Sequence, residues 1–292
     1  MKTIGIAIGS TCSAVGDVGG NLFQISDFAK KAAADGADIL LTPEMSTVGW
    51  GGYPEVLAAA EEAGHGKIYD TLCEISAANG VVVSAGFPEA VGDKRYIAQY
   101  IVYPTGKYVV QRKHRVTIYE QPFDSHVKLK PRQADEHSGQ PEDLCFNYFD
   151  VCGVRCVQVI CYDWGIKDLQ KILADHHVEL AFLSTAGGGS REERITLKEL
   201  TTEKGMQTVE YWTHNTWPSD LTDCIRYRMA RAAVNMCGYD GKSTYHGGGG
   251  TIVNTFGEIV GFLPFTPVLE RMRPSYNFAQ VEIANLNQWK DE

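Results

Sequence analysis

The segment VQVICYD, residues 157–163, decides how the rest of the chain is interpreted. Three of its first four residues are β-branched and apolar, so they predict a buried strand that ends at Cys161. Gly165 follows, and then a helix-like run over residues 166–175. Such a strand projects the thiol from the carboxyl end of a sheet, where open α/β sheets place their chemistry. The alternative is that Cys161 is a small core residue, as free cysteines commonly are.

The composition is that of an ordinary globular protein. The 292 residues are 44% hydrophobic and 22% charged, and a chain of this length buries a core without disulfides. The net charge of −9 disfavours nucleic acid as a partner, and the lack of a long apolar run predicts no membrane span. The N-terminal MKTIGI indicates a first strand and not a signal peptide.

The eight cysteines indicate the compartment and argue against zinc. They form no regular framework, which predicts reduced thiols and therefore a cytoplasmic protein. The spacing of Cys152, Cys156 and Cys161 lacks the close pair that a structural zinc site requires.

The first part of the chain predicts a strand–helix–strand unit. Residues 3–9 and 38–42 have the apolar pattern of buried strands, and residues 21–34 repeat apolar side chains with a helical period. Glu44 follows the second strand, so it is expected at the carboxyl end of the sheet, the position predicted for Cys161. Taken alone, a carboxylate there is a helix cap or a solvated loop residue.

A third strand end carries Lys113. Residues 96–103 and 108–111 flank a turn and predict a hairpin that leads into the charged run RKHR. Taken alone, such a run is a solvated surface. Residues 120–139 are polar and interrupted by prolines, which predicts a long functional loop.

The second part repeats the strand–helix–strand pattern around Cys161. Residues 144–151 and 154–160 predict a strand pair, and residues 179–184 predict the strand after the helix. No composition shift divides the chain, so residues 1–292 are expected to form one domain. Two such units, before and after residue 140, predict two sheets packed face to face with helices outside.

The remaining segments are expected to shape the site or the assembly. Residues 186–219 predict an irregular insertion that forms a pocket wall or lid and carries Trp212 and Trp217. Residues 221–235 predict a helix with three arginines. The tail, about residues 265–292, is a candidate oligomerisation arm. The three arginines of the predicted helix are Arg226, Arg228 and Arg231.

The chemistry of Glu44, Lys113 and Cys161 is complementary. A thiol with a pKa of about 8.5 is a few per cent thiolate at neutral pH and needs a base or a cation. A desolvated carboxylate supplies the base, and an ammonium stabilises both the thiolate and a later oxyanion. A Cys-His hydrolase, with His114, His126 or His246 as the partner, is the alternative, although no histidine has a distinctive local signature.

Five motifs in order resemble the nitrilase superfamily of carbon–nitrogen hydrolases, which use a Glu-Lys-Cys triad. They are ILLTPEM at 39–45, RKH at 112–114, VICYD at 159–163, RAAVN at 231–235 and GGGTIVNTFGE at 248–258. Any one of these similarities is common by chance, whereas all five in order are specific.

The resemblance implies a four-layer α-β-β-α sandwich in a hydrolase without cofactor or metal, which assembles as a homodimer or larger homo-oligomer. By position, Glu44 would be the general base and then the general acid, Lys113 the oxyanion stabiliser and Cys161 the nucleophile. The backbone N–H of Tyr162 would complete the oxyanion hole. Glu120 matches a second glutamate that positions the substrate in many members.

The departures from the family pattern concern the substrate. Cys-Tyr-Asp differs from the Cys-Trp-Glu of nitrile-cleaving members and is closer to the amidase-like branches. Those branches often continue with an arginine and then Pro-Glu, and the arginine commonly helps to bind a substrate carboxylate. This chain has WGIKD at 164–168 instead. We expect that a carboxylate is not held in that way. Trp164 is either an aromatic wall or structural, and Arg191 or Arg194 could bind a carboxylate instead.

The resulting expectation is an amide hydrolase for an uncharged or amine-bearing small amide or N-carbamoyl compound. Three alternatives remain open on the sequence. The same triad could hydrolyse a nitrile, an amine in place of water could accept the acyl group, or the fold could bind a ligand without turnover.

Overall fold

The computed structural model describes residues 1–126, 129–132, 135–141, 144–216 and 221–284. Its first elements are β1 (Lys2–Ser10), α1 (Val18–Asp35), β2 (Ile39–Leu41), α2 (Pro54–Ala58), α3 (Lys67–Asn79), β3 (Val82–Val91), β4 (Lys94–Val102), β5 (Tyr108–Arg112), β6 (Leu129–Arg132) and β7 (Asp135–Pro141). They are followed by β8 (Phe149–Val151), β9 (Val154–Ile160), α4 (Leu169–Asp175), β10 (Leu180–Thr185), β11 (Gly188–Gly189), α5 (Glu203–Thr216), α6 (Leu221–Tyr227), β12 (Ala230–Asn235), β13 (Cys237–Tyr239), β14 (Tyr245–Val253), β15 (Ile259–Phe265) and β16 (Ser275–Ile283).

Two mixed sheets organise these elements. The first sheet has the order β16-β1-β2-β3-β4-β5, and the second has the order β11-β14-β12-β10-β9-β8, with β13 and β15 also paired to β14. Strands β1, β2 and β3 run parallel, as do β9, β10 and β12. This parallel pairing confirms the two predicted strand–helix–strand units.

The alternation of side chains along β1 shows how the layers stack. Ile4, Ile6 and Ile8 are buried in the core that joins the two sheets, where they meet side chains of β9, β10, β12 and β14. Ala7 points the other way, into the cluster formed with α1 and α3. The far face of the second sheet packs on α4. The four-layer α-β-β-α sandwich is therefore confirmed.

The prediction of one helix over residues 221–235 is wrong. Helix α6 ends at Tyr227, and β12 lies between β10 and β14 in the second sheet. The Ala, Arg and Met residues of this segment favour a helix locally, but pairing with two neighbouring strands outweighs that weak preference. As a result Arg226 lies on α6, whereas Arg231 lies within the sheet.

Other segments contain secondary structure that differs from the prediction. Residues 120–139, expected to be a loop, contain β6 and part of β7, and the insertion at 186–219 contains β11 and α5. The strand expected over 144–151 is confined to β8. Trp212 lies on α5, and Trp217 lies outside the described residues.

The tail contributes to the first sheet. Strand β16 pairs antiparallel with β1 along the whole length of both strands, from Lys2 opposite Ile283 to Ser10 opposite Ser275. Residues 285–292 lie outside the described residues, and the role of the tail in oligomerisation stays a prediction. In the described part of the chain, no helix has the length and apolar character needed to cross a membrane.

Candidate active site

Three strand ends bring ionisable side chains together. Glu44 follows β2, Lys113 follows β5 and Cys161 follows β9. The Lys113 Nζ lies 2.7 Å from Glu44 Oε1 and 2.5 Å from Glu120 Oε1, and the side chains of Lys113 and Glu44 are fully buried. The Cys161 thiol lies close enough to the Glu44 carboxylate to lower the pKa of that carboxylate. We call Glu44, Lys113, Glu120 and Cys161 the lysine cluster.

Glu120 is held in the lysine cluster by its own surroundings. It ends a short 3-10 turn, Ile118–Glu120, and its Oε2 accepts a hydrogen bond from the Thr117 backbone N–H at 2.6 Å. The Trp50 Nε1 donates to Glu120 Oε1 at 3.1 Å. The carboxylate is therefore fixed against the ammonium of Lys113 by donors on two sides.

Cys161 adopts an uncommon backbone conformation. Its φ is +48°, in the left-handed region that a non-glycine residue avoids, and it begins a 3-10 turn, Cys161–Gly165. Such conformations cost on the order of 1–3 kcal/mol and cluster at functional sites. The turn delays the start of α4 until Leu169 and presents the partly buried thiol beside Glu44.

Burial and charge give the members of the lysine cluster different proton affinities. Burial raises the pKa of Glu44 to about 7, against the opposing charge of Lys113. Burial would lower the pKa of Lys113, but the charges of Glu44, Cys161 and Glu120 raise it well above its usual value. Burial likewise opposes ionisation of Glu120, yet Lys113 outweighs it and lowers its pKa. Glu120 is thus the permanent counter-ion, and Glu44 exchanges a proton near neutrality.

The thiol itself is not activated in the resting state. Burial, and next the charge of Glu44, raise the pKa of Cys161 above its usual value. Cys161 is therefore protonated at neutral pH, and a base must remove the proton when the sulfur attacks.

Asp163 fixes the Cys161 turn to the segment after β5. Its two carboxylate oxygens accept the backbone N–H groups of His114 at 2.7 Å and Arg115 at 2.9 Å. The Arg115 guanidinium donates to the Tyr162 carbonyl and lies 4.3 Å from the centre of the Tyr162 ring. The sequence contains Asp163 in its central motif, but no local pattern predicts hydrogen bonds to residues so distant along the chain.

A backbone donor contacts the other side of Glu44. The Ala186 N–H donates to Glu44 Oε2 at 3.1 Å. The neighbouring Gly187 carbonyl accepts from Asn235 Nδ2 at 3.0 Å, and the same amide group donates to the Gly248 carbonyl at 3.0 Å. Asn235 therefore supports the segment whose Ala186 N–H contacts Glu44. The incorrect helix prediction for 221–235 did not indicate this role.

A buried polar layer joins the sheets beneath the lysine cluster. Ser84 Oγ donates to Gln158 Oε1 at 3.0 Å, and Gln158 Nε2 donates to Ser184 Oγ at 3.1 Å. Ser184 Oγ in turn donates to the Thr42 carbonyl at 2.8 Å. Because Thr42 precedes Glu44 and Gln158 precedes Cys161, this network fixes the two strand ends relative to each other.

Cys161 opens into a cavity of about 880 Å³. Tyr162 and Trp164 line it near the thiol, and the Arg231 guanidinium lies 5.5 Å from the centre of the Trp164 ring. We call the more distant lining residues the cavity wall. Its apolar members include Leu183, Val209, Phe262, Leu263 and Phe265, and its polar members include Thr185, Arg231, Asn235 and Thr251.

The arginines proposed to bind a carboxylate donate to the main chain. Arg194 is fully buried and donates to the carbonyls of Glu193 at 3.2 Å and Tyr245 at 2.7 Å. Arg191 Nη1 donates to the Arg194 carbonyl at 3.1 Å. The cation that lines the cavity among the described residues is instead Arg231.

The histidines of the alternative Cys-His interpretation have other contacts. His114 Nδ1 lies 3.2 Å from Asp163, and His246 Nδ1 lies 3.4 Å from the Gly187 carbonyl. Burial lowers the pKa of His246 to about 4 and also lowers the pKa of His126. Within the described residues, no group of three His, Cys, Asp or Glu side chains is arranged to hold a metal ion.

Comparisons with known proteins agree with this architecture. A protein from Pyrococcus abyssi named Nitrilase is 26% identical over 156 residues, which are 53% of this chain and 54% of that protein. The alignment therefore spans about half of that relative's length.

Solved structures of an amidase from Nesterenkonia sp. AN1 share the fold. One is 18% identical, with a TM-score of 0.69, over 99% of this chain and 96% of its own. A variant of that amidase in complex with butyramide is 17% identical, with a TM-score of 0.68, over 98% and 94%. A third, at 17% identity and a TM-score of 0.67 over 99% and 94%, carries the acetamide moiety of fluoroacetamide on its active-site cysteine.

The family assignment comes from a comparison with family models. A model described as carbon-nitrogen hydrolase matches residues 5–263, which include all four members of the lysine cluster. The match confirms the resemblance inferred from the five motifs. The chain therefore belongs to the carbon–nitrogen hydrolase family.

Proposed function

We propose that the protein is an amidase-type hydrolase that cleaves a non-peptide C–N bond of a small amide or N-carbamoyl compound through a thioester on Cys161. One observation carries this proposal. The buried Lys113 contacts two carboxylates, and the pKa is raised for Glu44 and lowered for Glu120. Glu44 lies near the Cys161 thiol, which lines a cavity. This arrangement provides a nucleophile, a base and a fixed positive charge within one site.

In the first step Glu44 acts as the general base. Its pKa of about 7 lets it accept the Cys161 proton at neutral pH while the sulfur attacks the substrate carbonyl carbon. Negative charge then develops on the substrate oxygen, and Lys113 with the Tyr162 N–H stabilises it. Each such donor contributes roughly 3 kcal/mol to lowering the barrier.

In the second half of the reaction Glu44 returns the proton. Protonated Glu44 donates to the leaving nitrogen, so ammonia or an amine departs and a thioester remains on Cys161. The same carboxylate then removes a proton from water, which attacks the thioester and releases the carboxylic acid or carbamic acid. Glu120 stays ionised throughout and keeps Lys113 charged and in place.

The cavity wall supports a small uncharged acyl group. Its lining is mainly apolar, as in Val209, Phe262 and Leu263, so it binds aliphatic groups by burial. Of the amidase of similar fold, one variant binds butyramide and another carries the acetamide moiety of fluoroacetamide on its active-site cysteine. We therefore place short aliphatic amides first among the substrates to be tested.

Nitrile hydrolysis by the same residues is the second candidate. The relative named Nitrilase supports this candidate, because it is 26% identical to this chain over 156 residues. Thiolate attack on a nitrile carbon needs the same base and cation, but water must then be added before nitrogen leaves. Substrate preference separates the two reactions.

The test is ammonia release from a panel of aliphatic amides, N-carbamoyl amines and nitriles. We expect release from at least one amide or carbamoyl compound and none from the Cys161→Ala variant. Cys156→Ala is the matched control, because Cys156 lies on β9, the strand that precedes Cys161, with its thiol buried in the core between the sheets. Equal release by the wild type and Cys161→Ala would overturn the proposal, and preference for nitriles would select the second candidate.

A cytoplasmic homodimer or larger homo-oligomer belongs to the same proposal. Strand β15 presents Ile259 and Val260 to solvent, each about two-fifths exposed, and exposed apolar residues favour association. Sedimentation equilibrium measures the assembly directly. A monomer at micromolar concentration would contradict it.

A further inference from the structure

Two cysteines outside the lysine cluster lie on neighbouring segments. Cys12 follows β1 and Cys237 begins β13. The Cys237 thiol donates to the Ser10 carbonyl at 3.5 Å, and the Cys12 thiol donates to the Tyr239 carbonyl at 4.0 Å, so each side chain reaches the segment of the other. The Cys237 N–H donates to the Thr11 carbonyl at 2.9 Å, so the two segments run side by side. Gly238 provides the space, because a Cβ at that position would lie 2.1 Å from the Cys12 sulfur.

The surroundings make the two thiols chemically unequal. The neighbouring Cys237 side chain lowers the pKa of Cys12 to about 7 despite the opposing effect of burial. In turn Cys12, together with burial, raises the pKa of Cys237. Cys12 is partly exposed, whereas Cys237 is buried. A reagent from solvent therefore meets Cys12 first, and Cys12 is the thiol that carries the negative charge.

Cys152, Cys156 and Cys161 lack this combination of exposure and a lowered pKa. The exposed Cys152 donates to Asp38 at 3.1 Å, a contact that raises the pKa of Cys152 to about 11. Cys156 is buried, and its burial raises its pKa. The pKa of Cys161 is also raised, so the proposed nucleophile of catalysis is less reactive toward a free electrophile than Cys12.

We propose that Cys12 and Cys237 form a redox-active pair that closes to an intramolecular disulfide by exchange with a small-molecule disulfide such as oxidised glutathione. The Cys12 thiolate attacks one sulfur of the reagent, forms a mixed disulfide and releases one glutathione thiolate. Cys237 then loses its proton to solvent and attacks the Cys12 sulfur, which releases the second glutathione. Two protein thiols are oxidised, and one glutathione disulfide is reduced to two thiols.

The disulfide would link two segments that flank the proposed site. Ser13, next to Cys12, donates its hydroxyl to the Ser46 carbonyl at 2.9 Å, two residues after Glu44. Cys237 pairs with Gly247 on β14. Formation of the disulfide requires neither the hydrolase substrate nor its turnover. The test of the disulfide therefore does not depend on the proposed hydrolase activity.

The test uses the full chain incubated with oxidised glutathione, trapped by alkylation and analysed by peptide mass mapping. We expect one cross-link, between the peptides that contain Cys12 and Cys237, which a dithiol reductant reverses. In Cys237→Ser the mixed disulfide on Cys12 should persist, because the resolving thiol is missing. In Cys12→Ser neither product should form at this pair, and Cys224→Ser, which removes a buried cysteine elsewhere, should behave as the wild type.

The rate of modification provides a second readout that does not depend on any variant's folding. Alkylation of wild-type Cys12 should be several-fold faster than that of the exposed Cys152 at neutral pH and should increase through pH 7. Absence of the cross-link, with Cys12 alkylated no faster than Cys152, would overturn the proposal. Cross-linking that persists in Cys161→Ala would show that it is independent of catalysis.

Discussion

The lysine cluster and the cavity wall meet at Cys161 but differ in how their residues are held. In the lysine cluster the carboxylates are held by hydrogen bonds. Glu120, for example, accepts hydrogen bonds from Lys113, Thr117 and Trp50. The wall is mainly apolar and its position depends on packing. Hydrogen-bonded charges tolerate little change, whereas apolar surfaces adapt by small shifts. We infer that the cluster determines the reaction and the wall determines which acyl group enters.

Replacing Lys113 should have the largest effect, because it removes the cation between two buried carboxylates. Lys113→Met should lower kcat/KM by at least about 100-fold through loss of an oxyanion donor. It should also lower the free energy of unfolding by roughly 3–5 kcal/mol, since Glu44 and Glu120 lose their partner. Urea unfolding and steady-state kinetics measure the two effects. A second substitution, Glu120→Gln, should restore part of the stability but not the activity.

Replacing Glu44 with glutamine should remove the base and keep an acceptor for only one of its two donors, the Lys113 ammonium or the Ala186 N–H. Glu44→Gln should lower kcat by about 100- to 10,000-fold, the usual contribution of a general base. Glu55→Gln is the matched control, because Glu55 is an exposed carboxylate paired with Lys242. Comparable losses in the two variants would contradict a specific role for Glu44.

The pH dependence of kcat/KM should follow the ionisation of Glu44. Because burial raises the pKa of Glu44 to about 7 and the ionised form is the base, kcat/KM should fall about tenfold per unit as the pH decreases below 7. The apparent value belongs to the coupled cluster and not to one residue alone. A profile that is flat down to pH 5 would contradict this assignment.

Asp163 should have an intermediate effect, because it positions other groups and does not contact substrate in the proposed mechanism. Asp163→Asn keeps one acceptor oxygen but loses the other, so one of the two backbone N–H groups, of His114 or Arg115, loses its partner. We expect a loss of roughly 1–3 kcal/mol in the free energy of unfolding. We also expect kcat to fall about tenfold with little change in KM. A change in KM alone would place Asp163 in substrate binding instead.

The smallest expected effect belongs to the cavity wall. Phe262→Ala should change the preference among acyl groups by about tenfold, through KM for the longer amides, and should leave kcat for acetamide unchanged. Phe256→Ala is the matched control, because Phe256 is similarly exposed and lies outside the cavity lining described here. If both variants keep the wild-type preference, Phe262 does not contact the acyl group.

The residues that sequence could place share one property, which is a position at the end of an apolar strand. Glu44, Lys113 and Cys161 follow β2, β5 and β9. Each of these strands can be predicted from the apolar pattern of its own residues. The two strand–helix–strand units predicted two stacked sheets, whereas the family resemblance predicted that these three residues form one site. The roles assigned to these residues stay predictions until the variants are measured.

The residues that sequence missed act through contacts that no local pattern records. Asp163 accepts hydrogen bonds from a segment almost fifty residues earlier, and the Ala186 donor is a backbone group with no side-chain signature. Asn235 was assigned to a helix because its neighbours favour helices, and sheet pairing overrides that preference. Tertiary contacts therefore limit what could be predicted, even where each strand is clear.

The pairing of β1 with β16 has a consequence for the order in which the protein forms during synthesis. Strand β1 leaves the ribosome long before its antiparallel partner β16, so the first sheet remains incomplete until residues 275–283 have emerged. Until then one edge of β1 exposes unpaired backbone groups, and such edges template aggregation. A nascent chain interrupted before Ser275 should depend on chaperones that cover this edge, whereas β2, β3 and β4 have their neighbours from early in translation.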